Sequence, residues 1–352
     1  MKPVDKPAAS LSRRRFLRLA GGALGAMAAG CAPKSSDNET ALPDYVDGGM
    51  GVPVFRGPYQ QREARIAAFL LPARVTALRK LCDTYFNLPS NGAVKVNPFG
   101  PYALLLYAEM QIQSLDERDE AIGWMQETEV SFWTPVRGRG GRSAWFLPYL
   151  FVDNPYAIAS GREVYGFPKT WGQFEKPASI QNPEFGVDVW GFEDFDPQAA
   201  GKVQRLLETR KSDAARDTPP ETWTNWDAAR SALIRLLFKD WQPEAAGDGG
   251  IQWSEMLEKT PLVFLKQFRD AADSRKACYQ AIVEAPVQLT AFHDGGFIDD
   301  TYTVACQPLA SHPLAETLGL NVDSSGATQA LATFWLRVDF TLGAGVEVWR
   351  AK

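Results

Sequence analysis

The stretch Asp153-Asn154-Pro155-Tyr156-Ala157-Ile158-Ala159-Ser160-Gly161-Arg162-Glu163-Val164-Tyr165-Gly166-Phe167-Pro168-Lys169 directly follows an aromatic, branched run at residues 144–152 that reads as a strand. Its last residue carries the chemical reach. Lys169 follows Pro168 and sits among Tyr165, Phe167 and Trp171, and such rings desolvate an amine and favour its neutral form. A neutral amine attacks a carbonyl carbon. The same local pattern also suits a surface lysine whose stem lies along the rings, so the aromatic-Pro-Lys triplet alone leaves both readings open.

Outward from this stretch, strand signals dominate the first half of the chain. Residues 65–71, 102–113, 129–136 and 184–192 are rich in aromatic and branched side chains and are bounded by Pro or Gly. Residues 72–85 predict a helix, because Val75, Leu78, Leu81 and Cys82 share one face and Pro72 suits a first turn. Further on, 196–210 and 224–241 predict amphipathic helices, the second with Leu233, Leu236 and Leu237 inward, and residues 196–255 therefore read as a helical insertion. Strand signals return at 262–268, 277–291, 301–309, 332–340 and 345–350. No Gly-rich loop joins a strand to a helix, and regular βαβ alternation is missing. The expected fold class is therefore α+β with a largely antiparallel sheet.

The quoted stretch resembles the active-site segment of the acetoacetate decarboxylase family: Asp-Asn, then Gly-Arg-Glu, then an aromatic-Pro-Lys. Phe55-Arg56-Gly57-Pro58-Tyr59 and Ala77-Leu78-Arg79-Lys80 resemble the family's N-terminal strand and helix, and the likeness extends through the strands after Thr260. The resemblance implies a barrel-like fold over residues 51–352 and Lys169 as the Schiff-base lysine. Glu129-Val130-Ser131-Phe132-Trp133-Thr134-Pro135-Val136 resembles the family strand that carries an active-site glutamate. Glu129, Ser131 and Trp133 alternate onto one face, and an inward face would aim Glu129 at Lys169. The resemblance also implies a first-strand arginine, Arg62 or Arg65, and a second glutamate, Glu109, as substrate-binding groups. Typical decarboxylases of the family carry a second lysine after the first, where this chain has Thr170.

The function so implied is a Schiff-base-forming lyase for a small keto acid such as acetoacetate or a related β-keto acid, needing no metal or organic cofactor and forming a homo-oligomer. Imine-dependent aldolase or dehydratase chemistry is the nearest alternative. From other classes come an envelope-anchored ligand-binding protein without turnover, and an interaction module built on Trp223, Trp226 and Trp241.

At the start of the chain, Ser12-Arg13-Arg14-Arg15-Phe16-Leu17-Arg18 precedes the apolar run 19–30 and then Cys31. The pattern is similar to a twin-arginine export signal ending in a lipobox, with residues 1–30 as signal, Cys31 as the lipidated residue and 31–50 as a polar tether. The expected location is the periplasmic side of a bacterial membrane, held by a lipid anchor. The formal charge is −5; without residues 1–30, which hold six basic residues and one acidic one, it is −10. That balance argues against nucleic-acid binding. Cys82, Cys278 and Cys306 match no zinc spacing, and Cys278 and Cys306 suit burial in apolar strands, with one disulfide an alternative. His293 and His312 are the only histidines, too few for a histidine-rich metal site or a supported Ser-His-Asp triad. The 137–142 run of Arg and Gly reads as a solvated hairpin turn.

Overall fold

Side chains that alternate every second residue give a strand two faces, and here the two faces meet different cores. The computed structural model describes residues 42–46, 54–138, 141–215, 219–238 and 259–352, with Phe238, Lys259 and Thr260 described by backbone only. The strands are β1 (Tyr59–Pro72), β2 (Asn97–Pro98), β3 (Tyr102–Ser114), β4 (Met125–Arg137), β5 (Ser143–Val152), β6 (Lys169–Trp171), β7 (Gln173–Glu175) and β8 (Gly186–Gly191). They continue as β9 (Lys202–Ser212), β10 (Thr222–Trp223), β11 (Lys259–Arg269), β12 (Ala277–Phe297), β13 (Thr301–Cys306), β14 (Ala327–Gln329), β15 (Ala332–Leu342) and β16 (Val346–Arg350).

The larger sheet runs β4-β3-β1-β15-β12-β11-β5, and β5 pairs back onto β4, so the sheet closes into a barrel. Most pairs are antiparallel, while β5 runs parallel to β11 at Trp145 and Phe146 and parallel to β6 at residues 150–152. One edge of β5 thus carries β4. Its other edge carries first β11 and then β6. The smaller sheet, β14-β13-β9-β8-β7, packs outside the barrel through Phe69, Tyr107, Phe185 and Tyr302, whose rings meet edge-on or tilted at 5.0 to 5.9 Å between centroids. The mixed, mostly antiparallel α+β class expected above is the one observed.

Two helix expectations need correction. Residues 202–212 form β9, not a helix: Val203, Leu206 and Leu207 satisfy helical spacing, but β8 and β13 flank the segment and supply its backbone partners. The register with β8 slips beside Leu206, so Leu206 and Leu207 are both fully buried, which imitates a helical pair. At the other site the helix is Val75–Cys82 and Pro72 closes β1 instead of opening the helix; Leu78, Leu81 and Cys82 face inward while Val75 is exposed.

The second expected helix is Trp226–Phe238, seated on the barrel by Ala229, Ala232 and Leu233 against Ala68, Phe297 and Phe334. Trp223 is fully buried in that contact, so it is core and not a docking surface. Trp241 and the rest of the expected insertion to residue 255 lie outside the described residues, as do the signal and Cys31. No helix among the described residues is long and apolar enough to cross a membrane. The described cysteines are unpaired, and Cys278 is exposed, contrary to the burial expected of it.

Candidate active site

The barrel interior is not filled. A cavity of about 80 Å³ is lined by side chains from every strand of the closed ring, among them Gln61, Met110, Glu127, Glu129, Leu147, Leu262, Val287 and Phe340. That is room for a small organic ligand and not merely for a single water. Lys169 closes it from the side, at the start of β6, where Leu150 of β5 is its partner in the sheet.

The quoted stretch explains why the lysine arrives there. Asn154 caps the helix Pro155–Ser160 by accepting from Tyr156 N–H at 2.9 Å, and Pro155 opens that helix where its missing N–H costs nothing. The helix widens into a π turn, Gly161–Tyr165, and stops at Gly166 in the left-handed region, φ 86°. Gly161 is required by contact: a Cβ there would stand 2.8 Å from Lys169 Cδ and 3.1 Å from Cε. The lysine stem therefore lies on the bare glycine backbone. Arg162 Nη1 donates to the Lys169 carbonyl at 3.1 Å.

Asp153 and Asn154 also fasten this segment to β4 on both sides of one residue. Asp153 accepts from Thr128 N–H at 2.9 Å, and Asn154 Nδ2 donates to the Gln126 carbonyl at 2.8 Å. The residue between those contacts is Glu127. Its carboxylate, fully buried, takes the Lys169 ammonium at 2.7 Å, and the Lys169 side chain is only 9% exposed. A buried pair of this kind is charge-neutral as a unit and costly to split.

Glu129 stands two residues along β4, on the same face as Glu127, and lines the cavity too. Its pKa is pushed up to about 8, chiefly by burial and then by the Glu127 charge, against the pull of Lys169; a hydrogen bond to Glu127, which Glu129 can donate only while protonated, adds to the rise. Glu127 Oε2 is buried and has no hydrogen-bond partner among the described residues. The site thus holds the Lys169–Glu127 pair beside a carboxyl group that keeps its proton well above the usual glutamate range. Ser131, next on that face, accepts from Trp133 Nε1 at 2.7 Å.

The sequence reading placed Glu129 at the lysine; the direct partner is Glu127, which that reading missed. The signal was present, since Glu127, Glu129, Ser131 and Trp133 share the two-residue period, but the expected strand began at 129 whereas β4 begins at Met125. The arginines and Glu109 are elsewhere. Arg65 pairs with Glu109, which also accepts from Tyr107 and takes Lys176 at 3.0 Å, and neither lines the cavity. Glu109 alternates with Met110, and it is Met110 that points inward. Arg62 lies over the Trp124 ring at 3.5 Å and donates to Gln111 at 3.1 Å, while its neighbour Gln61 takes the cavity position. A register shift between Gln61 and Ala64 sets this phase.

His293 meets Asp339 at 3.1 Å, His312 meets Ser311 at 2.9 Å, and neither lines the cavity. Among the described residues no group of three or more His, Cys, Asp or Glu side chains could hold a metal ion.

Residues 51–189 match the family model described as acetoacetate decarboxylase (ADC). No curated protein matches the sequence. Among solved structures, the chain is similar to the acetoacetate decarboxylase of Legionella pneumophila at 12% identity and a TM-score of 0.58, covering 91% of this chain and 99% of that one. A further acetoacetate decarboxylase aligns at 15% identity and a TM-score of 0.55, covering 85% and 92%. The enduracididine biosynthesis enzyme MppR aligns at 14% identity and a TM-score of 0.52, covering 85% and 91%. The fold is that of the acetoacetate decarboxylase-like proteins, and the stretch that matches the family model contains Glu127, Glu129 and Lys169.

Proposed function

We propose that the protein forms an imine between Lys169 and the carbonyl carbon of a small keto acid, and that the bound acid then loses carbon dioxide. The observation that carries this reading is the buried Lys169–Glu127 contact of 2.7 Å inside a largely apolar cavity, with a second, protonated carboxyl beside it. Glu127 takes a proton from the ammonium along the existing hydrogen bond and frees the nitrogen lone pair, which attacks the carbonyl carbon. The carbonyl electrons pass to oxygen, which receives the Glu129 proton. The nitrogen gives up one of its two protons to a carboxylate of the pair, that oxygen takes a second proton from the carboxyl so formed and leaves as water, and the iminium remains. The electron pair of the breaking carbon–carboxylate bond then flows into the iminium, carbon dioxide departs, and the enamine is protonated on carbon and hydrolysed to release the ketone and the lysine. No cation other than Lys169 lines the cavity among the described residues, so a substrate carboxylate there has no second charge to hold it, which favours its departure.

The keto-acid class is supported by the family-model match and by the cavity size. One structural relative is a biosynthesis enzyme and others are decarboxylases, so aldol or dehydration chemistry through the same imine is the second reading. We also propose that Cys31 is lipidated after export and holds the protein at the periplasmic side of the membrane, on the strength of Arg13-Arg14 and the Ala29-Gly30-Cys31 ending.

Borohydride reduction in the presence of acetoacetate, pyruvate and related keto acids, read by intact mass and peptide mapping, tests the function. The expected result is an adduct on Lys169 that is lost in Lys169→Ala. Absence of any adduct up to about pH 10, near the ordinary lysine pKa, refutes it.

A further inference from the structure

Among the described residues, Gln61 is the polar cavity-lining side chain that the chemistry above leaves unused and whose oxygen has no partner. It is 6% exposed, and its Oε1 is buried without a hydrogen bond. None of the side-chain contacts among the described residues involves its amide nitrogen either. A buried carboxamide left unpaired costs free energy that an apolar side chain would not. Its position on the barrel wall makes the cost specific to the cavity. Gln61 sits opposite Phe340 of β15 and Ile112 of β3, both apolar cavity residues, so nothing beside it competes for the amide.

Ile112 in turn faces Met125 of β4, two residues before Glu127 on the same face. Two strand spacings, roughly 10 Å of backbone separation, therefore lie between Gln61 and the strand that carries the two glutamates. Lys169 and Gln61 both line the cavity, so a ligand whose carbonyl meets Lys169 can extend toward Gln61.

We propose that Gln61 determines specificity by hydrogen bonding a hydroxyl group on the part of the substrate remote from the carbonyl that Lys169 attacks; this rests on the keto-acid reading above. A carboxamide both donates and accepts, and so does a hydroxyl, which satisfies the orphaned oxygen and one N–H with a single atom. A second carboxylate at that end would be buried among Ile112, Phe340 and Met110 without a cation. A carboxamide on the ligand would match in polarity, but a hydroxyl meets both functions of Gln61 with a single atom. The burial that raises the Glu129 pKa agrees with a cavity that disfavours charge beyond the single ion pair.

The test compares ligands that differ by one hydroxyl: 2-oxobutanoate with 4-hydroxy-2-oxobutanoate, and acetoacetate with its 4-hydroxy derivative. Affinities are measured by calorimetry on the wild-type protein and on Gln61→Met, which keeps the side-chain length and removes both hydrogen-bonding functions. The hydroxylated member of at least one pair should bind the wild type about tenfold more tightly, the yield of one well-made hydrogen bond, and the preference should vanish in Gln61→Met. Gln61→Met should also be no less stable to urea than the wild type, because it removes an unpaired buried amide. No binding of either member of either pair, equal affinities within both pairs, or a preference that survives Gln61→Met would each overturn the proposal. Borohydride trapping on the same samples separates the two readings: a preference that depends on Gln61 without any adduct on Lys169 leaves the Gln61 contact standing and removes the imine.

Discussion

Replacing Lys169 with Met removes the ammonium but keeps most of the stem that lies on Gly161, so it isolates the charge. Glu127 is then a fully buried carboxylate without its partner at 2.7 Å. Splitting a buried pair by removing one member costs about 3–5 kcal/mol. For a domain of this size about 2 °C of midpoint accompanies each kcal/mol, so Lys169→Met should melt roughly 6–10 °C lower. Glu127→Gln should also destabilise, since it leaves the ammonium buried beside a neutral amide. The double variant, Lys169→Met with Glu127→Gln, carries neither charge and should recover most of the loss, because a pair replaced whole is close to neutral in stability. Urea unfolding of the four proteins at pH 7 gives the coupling free energy of the cycle, expected at about 2 kcal/mol or more. Single substitutions that cost under about 1 kcal/mol and add in the double variant would mean that the two groups are solvated and independent, and the geometry on which the mechanism rests would be wrong.

Gly161→Ala places a Cβ 2.8 Å from Lys169 Cδ and should cut borohydride trapping at least tenfold while costing about 1–3 kcal/mol, the usual cost of overpacking, as read by trapping yield and urea midpoint. Gly166→Ala should cost more, because φ is 86° and the new Cβ would meet Lys266 Cα at 2.6 Å, a backbone atom that cannot swing away; thermal melting checks it. Glu129 keeps its proton in the native state up to about pH 8, whereas in the unfolded chain it loses it near the ordinary glutamate value. Its contribution to stability therefore falls as pH rises from about 4.5 to about 8, because the native state binds the extra proton across that window. Glu129→Gln should remove this dependence in pH-resolved urea titrations. In the wild type, imine formation should decline above about pH 8 as the acid ionises.

Much of the architecture follows from local pattern. The two-residue period of aromatic and branched side chains marks β3, β5, β12 and β15 within a few residues, since a strand with one face on a core needs that alternation whatever its partners. Likewise the segment 153–169 announces Lys169 through residues whose reasons are local. Asn154 caps, Gly161 clears the stem and Gly166 turns the chain. Where local pattern serves two periods, the tertiary partners decide. Val203, Leu206 and Leu207 fit a helix as well as a bulged strand, and only the flanking β8 and β13 select the strand.

The phase of the site was decided in the same way. In β1, β3 and β4 one residue of register exchanges inside for outside, so Gln61 instead of Arg62 and Met110 instead of Glu109 reach the cavity. The resemblance of residues 129–136 to a glutamate-bearing family strand was enough to expect a carboxylate near the lysine. Only the closed barrel decided which glutamate it meets, because Asp153 and Asn154 grip the backbone on either side of Glu127, and long-range hydrogen bonds of that kind leave no trace in the local spacing of side chains.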